Sequence, residues 1–359
     1  MKVVFSPGPS YSSEETRKYA GWIRILDLYK EGLEELGHEV FVPKVDPSLI
    51  DQSSTVSKIL SYDLVAAQQI PGGAELFLGP PGYSVVQMMA GRDNNWGQGM
   101  RPFLYVWNGQ DWWRDQQLAE EYKKFNSPYD LSPSWRWVNR TALEMCVELG
   151  GHVIACSPWV KKTHAKIVPE DKISIAFWGV DSEKFHPPQV DPPGFNVLFV
   201  GGDPIRKGLA YLAKAMEGLE GAELWLVGCT FPWEDHNELK IREFGMVPHA
   251  EVANIMRQCH VCCIPTLEDG IALAIQESMA CGLVPVTSPE TAEVFENNVS
   301  GFKVGYRKVD EIRYALWVLK QNPNLRRQMG AGARKLAEKQ TWTETKRQFK
   351  EIIKKEMGT

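Results

Sequence analysis

An α/β architecture of two doubly wound, Rossmann-like domains facing across a cleft is predicted by three features of the sequence. Short β-rich apolar runs alternate with helix-length amphipathic segments along the chain. The rhythm pauses at a proline-rich stretch, KFHPPQVDPPGF at 184–195, and restarts after it. The 359 residues suit two domains of ordinary size. The expected boundaries are a first domain over 1–184, a linker over 185–194, a second domain over 195–340, and a C-terminal helix over 341–359 that packs back on the first domain.

KVVFS opens the chain as a strand. Ser12 and Glu15 have the spacing of a capping box, and Tyr19, Trp22, Ile23, Leu26, Tyr29, Leu33 and Leu36 then recur at helical spacing. Gly37 suits the position after the helix, and HEVFVP follows as a strand. Strand, long helix and strand make a βαβ unit, which implies a parallel sheet. Further strands are expected at Tyr62–Gln68 and Pro102–Asn108, separated by a Gly- and Pro-rich connection over 71–99 with one apolar stretch at Val85–Ala90. A helix at Trp135–Leu149 and strands at His152–Ser157 and Lys172–Phe177 complete the first half. Beyond the linker come strand NVLFV, helix Leu209–Leu219, strand AELWLVG, helix Glu251–Gln258, strand HVCCIP, helix Ile271–Ala280 and strand LVPVT. Three helices close the chain, at Asp310–Gln321, Asn324–Glu338 and Thr343–Glu356.

Composition excludes several classes. With 43% hydrophobic and 24% charged residues the chain is neither disordered nor fibrous. No apolar run approaches the roughly 18 residues of a membrane span. The N-terminal apolar run is broken by Pro7 and Pro9, so it does not read as a secretory signal. The first 190 residues carry 19 basic and 23 acidic side chains and the remainder 21 and 22, so neither half has a general nucleic-acid footprint. Seven cysteines, an odd number and mostly within apolar runs, read as reduced thiols of a cytoplasmic protein. Cys259 and Cys262 have the spacing of a metal pair, but no second pair accompanies them, and HVCCIP reads as a buried strand.

Two segments carry chemistry. Val200-Gly-Gly-Asp-Pro-Ile-Arg-Lys-Gly208 lies between a strand and a helix, so its glycines let backbone approach a ligand while Arg206 and Lys207 bring cations to a helix start. That combination suits a phosphate or diphosphate; the plainer alternative is a solvated basic turn. In LEDGIALAIQESMACGLVPV, Asp269 and Gly270 lead into a helix whose first-turn amides face an anion, and Glu277 follows a little over two turns on. The two carboxylates can meet different parts of one elongated ligand.

Taken together, these segments resemble the family 4 glycosyltransferases, the large retaining family with the GT-B fold. The resemblance extends to LEELGHEVFVP, HVIACSPWVKKTHAKI, FWGVDSEKFHP, FVGGDPIRKGLAYL, EFGMVPHAEVANIMRQCHVCCIPTLEDGIALAIQESMACGLVPV, NNVSGFKV and Thr341-Trp342, and so covers most of the chain. It implies a first domain on the acceptor side and a second that binds a nucleotide sugar. Lys207 matches the family's diphosphate lysine, and Arg206 supplies the cation that the family usually places where Gly202 stands. Asp269 takes the position of the acid that meets sugar hydroxyls, and Glu277 that of the acid that meets the ribose. The resemblance assigns Arg206, Lys207, Asp269 and Glu277 to catalysis. It assigns Gly201, Gly202, Met246, Val247, Gly270, Ile271, Ala272, Leu273 and Asn108 to the donor, with Met246 and Val247 flanking the base. Asn108 stands where the family often has a histidine, and SPETAEV shortens a Gly-Gly stretch while keeping Glu293 at the following acidic position. Acceptor candidates are Gly8, Asp111, Trp112 and Trp113.

The implied reaction is retaining, metal-independent transfer to a hydroxyl of a glycan or lipid-linked glycan, with no cofactor beyond the nucleotide-sugar co-substrate. Six of the 13 tryptophans (Trp96, Trp107, Trp112, Trp113, Trp135 and Trp137) cluster between positions 96 and 137, within the expected acceptor domain. They either stack on sugars or bases or pack a core. A modified nucleic-acid base is therefore a second acceptor class, disfavoured by the acidic charge. Lys123, Lys124, Lys161 and Lys162 read as a solvated face, or else as a basic patch for an anionic acceptor or a peripheral membrane contact. A non-catalytic nucleotide-sugar-binding protein with the same fold is the reading from another class.

Overall fold

The computed structural model describes residues 1–9, 11, 14–93, 100–129, 133–233 and 239–358. Two compact units emerge. The first comprises Met1–Trp113, Asp130–Phe177 and Thr345–Thr359, and the second Arg114–Tyr129 and Trp178–Glu344. The division after Phe177 corrects the expected boundary at 184: Trp178–Phe185 join the second unit, where the Gln276 amide donates to the Trp178 carbonyl and Arg334 to the Phe185 carbonyl.

The first unit holds strands β1 (Lys2–Phe5), β2 (Glu39–Phe41), β3 (Ala74–Gly79), β4 (Arg101–Val106), β5 (His152–Ala155) and β6 (Ile173–Ile175). They form one sheet in the order β2-β1-β3-β4-β5-β6, with every pair parallel. Parallel strands covered on both faces are continuous apolar runs, and Val3, Val4, Phe5, Leu76, Phe77, Leu78, Phe103 and Leu104 have no exposed surface. From Thr345 on, the last helix (Trp342–Met357) packs against the helix Ile23–Glu35: Phe349 stacks on Tyr29 at 4.4 Å, and Lys346 and Lys350 pair with Glu35.

The second unit holds β7 (Asn196–Val200), β8 (Glu223–Val227), β9 (Ile241–Gly245), β10 (Val261–Ile264), β11 (Val284–Thr287) and β12 (Phe302–Lys303), in the order β12-β11-β10-β7-β8-β9 and again parallel throughout. The chain starts mid-sheet, builds outward to β9, then returns to build outward to β12. The strand order therefore reverses between β7 and β10. Crevices beyond the carboxyl ends of the strands at such a reversal are where doubly wound sheets take ligands.

Several expectations need correction. Tyr62–Gln68 is not a strand but the end of a helix, Thr55–Ala67, whose N-terminus is capped by Ser54 accepting from the Ser57 amide at 3.0 Å. Its buried residues Ile59, Tyr62, Asp63 and Ala66 follow helical spacing. The strand expected there is Ala74–Gly79, inside the presumed Gly- and Pro-rich connection. The single helix expected from Tyr19 to Leu36 is broken at Ala20–Trp22 into Glu14–Tyr19 and Ile23–Glu35. The capping box falls on Ser12, outside the described residues. Helix Asp111–Lys124 and strands β9 and β12 were not anticipated.

Among the described residues no helix is long and apolar enough to cross a membrane. Cys259, Cys262 and Cys263 are buried free thiols, and burial pushes the Cys262 thiol up to about 12. They pack the core around β10. No group of three or more metal-ligating side chains occurs among the described residues.

Candidate functional site

The two chemistry-bearing segments meet at the β7/β10 reversal. The loop after β7 (201–208) lies against the loop after β10 (265–272). The Leu267 amide donates to the Arg206 carbonyl at 2.8 Å, and the Thr266 hydroxyl bridges the carbonyls of Arg206 and Glu268 at 3.1 and 3.0 Å. Ser288, after β11, fixes the same edge by donating to the Thr266 carbonyl at 2.5 Å. Gly208 permits the approach. Its φ is +75°, and a Cβ there would lie 2.2 Å from the Pro265 carbonyl oxygen.

This contact brings together two cations and two acids that are about 60 positions apart in sequence. Lys207 Nζ donates to Asp269, while Arg206 donates to the Glu268 carbonyl at 3.0 Å and lies 3.8 Å from the Asp269 carboxylate. Glu268 is 2% exposed, and Arg114 Nε sits 3.3 Å from its carboxylate. Asp203 accepts from the Arg206 amide at 3.0 Å and from the Tyr122 hydroxyl. Burial pushes the Lys207 ammonium down, opposed by the Asp269 charge. Burial acts likewise on the Arg206 guanidinium, but Asp269, Glu268 and Asp203 outweigh it and hold the pKa up.

The structure brings Arg206, Lys207 and Asp269, which the sequence singles out, together with Glu268, Arg114, Asp203 and Tyr122, which it does not. Glu268 stands in the motif itself and could have been flagged as a second acid beside Asp269. Arg114 and Tyr122 lie on a helix whose polar composition gave no signal.

The helix after β10 is Leu273–Ala280, starting two residues later than expected, with Ala272 as its N-cap and Gly270 and Ile271 in the preceding turn. The Ile275 and Gln276 amides both turn back to the Ala272 carbonyl, which leaves the Leu273 and Ala274 amides at the helix start to favour an anion. Glu277 is 4% exposed on that helix and faces His249, whose Nε2 lies 2.6 Å from its Oε1. Gly201 packs against Lys207, a Cβ there lying 3.0 Å from Lys207 Cγ. At Gly202 a Cβ would meet only the Gly228 carbonyl oxygen, at 3.6 Å. Met246 and Val247 follow β9; Met246 is exposed and Val247 half-buried.

The remaining candidates lie in the first unit. Asn108 follows β4 and Gly8 follows β1, the latter beside the Tyr83 ring. Asp111, 7% exposed, accepts from Asn139 at 3.2 Å. Trp113 packs edge-on to Trp159 at 5.0 Å, and Trp107 stacks with Tyr105 at 5.4 Å. Both rings make packing contacts while remaining half-buried. Trp112, with Lys166 Nζ 3.6 Å from its ring, and Trp137 keep exposed surface. Trp96 and the side chain of Trp135 lie outside the described residues. Lys123 and Lys124 belong to the second unit and Lys161 and Lys162 to the first. Lys124 lies 3.5 Å from Glu121, and Lys161 3.9 Å from Glu170.

Residues 194–322 match the family described as Glycosyl transferases group 1. The match lies within the second unit. It contains every residue of the loop contact around Arg206, Lys207 and Asp269. The amylovoran biosynthesis glycosyltransferase AmsK of Erwinia amylovora is 25% identical over 268 residues, covering 68% of this chain; the chain spans 61% of the length of that relative. The fold of the whole chain is GT-B. Sucrose-phosphate synthase from Thermosynechococcus elongatus superposes with a TM-score of 0.78 at 16% identity, over 100% of both chains. WaaG, a glycosyltransferase involved in lipopolysaccharide biosynthesis, gives 0.68 at 13% identity over 98% and 99%. HepE of Anabaena, in complex with UDP-glucose, gives 0.64 at 16% over 99% and 100%.

One acid of the second unit is out of balance. Glu290, after β11, has a buried Oε2 with no hydrogen-bond partner. Burial, with Glu293 and Glu268 adding like charge, pushes its carboxyl up to about 7. The folded chain therefore keeps a proton that the unfolded chain has released between about pH 4.5 and 7, so stability falls as pH rises through that window and levels off above it. Glu290→Gln is expected to flatten the dependence and to be more stable than the parent at pH 8 by about 1 kcal/mol, a figure already discounted for solvent screening. Urea melts at pH 5 and pH 8 check this; equal stabilities at pH 8 would contradict it.

Proposed function

We propose that the chain is a retaining glycosyltransferase that moves a sugar from a nucleotide-sugar donor to a hydroxyl of a glycan or lipid-linked glycan. The observation that supports this most is the convergence of Arg206, Lys207, Asp269 and the start of helix Leu273–Ala280 at the strand-order reversal. Cations beside the Leu273 and Ala274 amides suit a pyrophosphate, and the adjoining acid suits the hydroxyls of a sugar.

In this reading the donor diphosphate takes over the Lys207 ammonium that Asp269 now holds, and Asp269 is released to accept from the sugar. Arg206 and Lys207 then stabilise the charge that builds on the leaving diphosphate as the glycosidic bond breaks. They supply that compensation in place of a metal ion. Glu277 accepts from the ribose, and Met246 and Val247 flank the base. Gly201, Gly202 and the backbone over 270–273 line the phosphate path, and Asn108 meets the donor sugar. Gly8, Asp111, Trp112 and Trp113 serve the acceptor. The acceptor proton passes to the leaving diphosphate on the same face of the sugar. Buried thiols at six of the seven cysteines suit a reducing, cytoplasmic setting.

Slow hydrolysis of a nucleotide sugar without acceptor tests the reading. A panel of UDP-, GDP- and ADP-sugars is incubated with the protein in the presence of a chelator. Sugar release with retained anomeric configuration from one of them is the expected result. Tight binding with no release under any condition would favour a binding protein of the same fold.

A further inference from the structure

Behind Glu277 stands a chain of side chains from three separate segments. Lys184 Nζ lies 3.0 Å from His249 Nδ1, and His249 Nε2 lies 2.6 Å from Glu277 Oε1. A lysine ammonium only donates, so Nδ1 accepts. The ring proton therefore sits on Nε2 and is donated to the carboxylate, which fixes one histidine tautomer.

The surroundings hold these segments together. His249 opens the helix His249–Met256, and the Phe185 ring packs on it with centroids 5.4 Å apart. Arg334 donates to the Phe185 carbonyl at 2.7 Å and to the Ala280 carbonyl at 2.6 Å. It thereby ties the segment that carries Lys184 to the end of the helix that carries Glu277. Arg257 adds a contact to the Lys184 carbonyl at 3.5 Å. At 4% exposure Glu277 lies where a charge-assisted hydrogen bond is strong and a free carboxylate is costly.

We propose that Lys184 and His249 are positioning residues for Glu277: they occupy its Oε1, set its rotamer and leave Oε2 to accept from a ribose hydroxyl of the donor. The proposal rests on the nucleotide-sugar reading above. A carboxylate already ordered in the free protein loses less freedom when the donor binds. The ribose is remote from the bond that breaks, so the relay acts on donor affinity and leaves the chemical step nearly unchanged.

Three variants separate the relay from simple packing. His249→Phe keeps an aromatic ring but removes the donor. His249→Gln keeps an N–H near the position of Nε2. Lys184→Met removes the cation that sets the tautomer. Nitrogen-15 NMR of the ligand-free protein reads the tautomer, calorimetry reads the affinities for UDP, GDP and ADP, and donor hydrolysis separates KM from kcat. The expected results are an Nε2–H tautomer in the parent that is lost in Lys184→Met, and a tightest-binding diphosphate held about tenfold more weakly by His249→Phe but within about threefold by His249→Gln. KM moves with those affinities while kcat stays within about twofold. An Nδ1–H tautomer in the parent, equal affinity in the parent and His249→Phe, or a Gln variant as weak as the Phe variant would each overturn the positioning role alone. A parent that binds none of the three diphosphates would overturn the nucleotide-sugar reading and this role with it.

Discussion

Lys207→Gln is expected to turn over donor some 10²–10³-fold more slowly than the parent while remaining folded, the range seen when one preorganised donor to a developing charge is removed. Lys207 Nζ is buried against Asp269, and burial with neighbouring Arg206 disfavours its charge while Asp269 sustains it. A cation held ready in this way needs no solvent reorganisation when the diphosphate departs. The choice of glutamine matters. Alanine would strand the buried Asp269 carboxylate, and breaking a buried pair by deleting one partner typically costs about 3–5 kcal/mol of stability. Glutamine still donates to Asp269, and Arg206 remains 3.8 Å away, so the loss read is that of the ammonium charge. Single-turnover rates under saturating donor, with circular dichroism on the same sample, check this. Turnover within about threefold of the parent would remove Lys207 from the charge-stabilising role.

Gly208→Ala is expected to destabilise the protein by about 3 kcal/mol or more. Two costs add. The residue has φ at +75°, a region where an alanine is strained by about 1–2 kcal/mol, and its Cβ would lie 2.2 Å from a backbone oxygen of the facing loop. That oxygen belongs to Pro265 and cannot swing aside as a long side chain would. Relief of the clash requires the two loops to part, which also lengthens the contacts from the Thr266 hydroxyl and the Leu267 amide to the Arg206 carbonyl. Residual turnover should therefore fall together with stability, unlike in Lys207→Gln. Chemical denaturation measures the first effect; a loss under about 1 kcal/mol would mean that the loops approach less closely than the geometry requires.

Most strands of both sheets could be read from the sequence because parallel strands buried on two faces are uninterrupted apolar runs, as in KVVF, NVLFV and VCCI. The same rule explains the main error. YDLVAA is a short apolar run, and such runs do not distinguish a buried strand from one turn of a buried helix. The true strand, AELFLG, sits among the turn formers Gly72, Gly73, Pro80 and Pro81, which masked it. β9, IREFG, is a polar edge strand with no periodic signal. Arg206, Lys207 and Asp269 were legible because each falls in a contiguous strand–loop–helix segment whose chemistry follows from adjacency. Their partners Arg114 and Tyr122, and the pair Lys184 and His249 behind Glu277, arrive from distant segments, and nothing in their own neighbourhoods marks them.

A crystal structure with a nucleoside diphosphate at saturating concentration tests the central claim most directly. The pyrophosphate should lie within hydrogen-bonding distance of Lys207 Nζ, the Arg206 guanidinium and the amides at the start of helix Leu273–Ala280, with Asp269 released from Lys207. A diphosphate bound elsewhere, with the Lys207–Asp269 pair still closed, would contradict it.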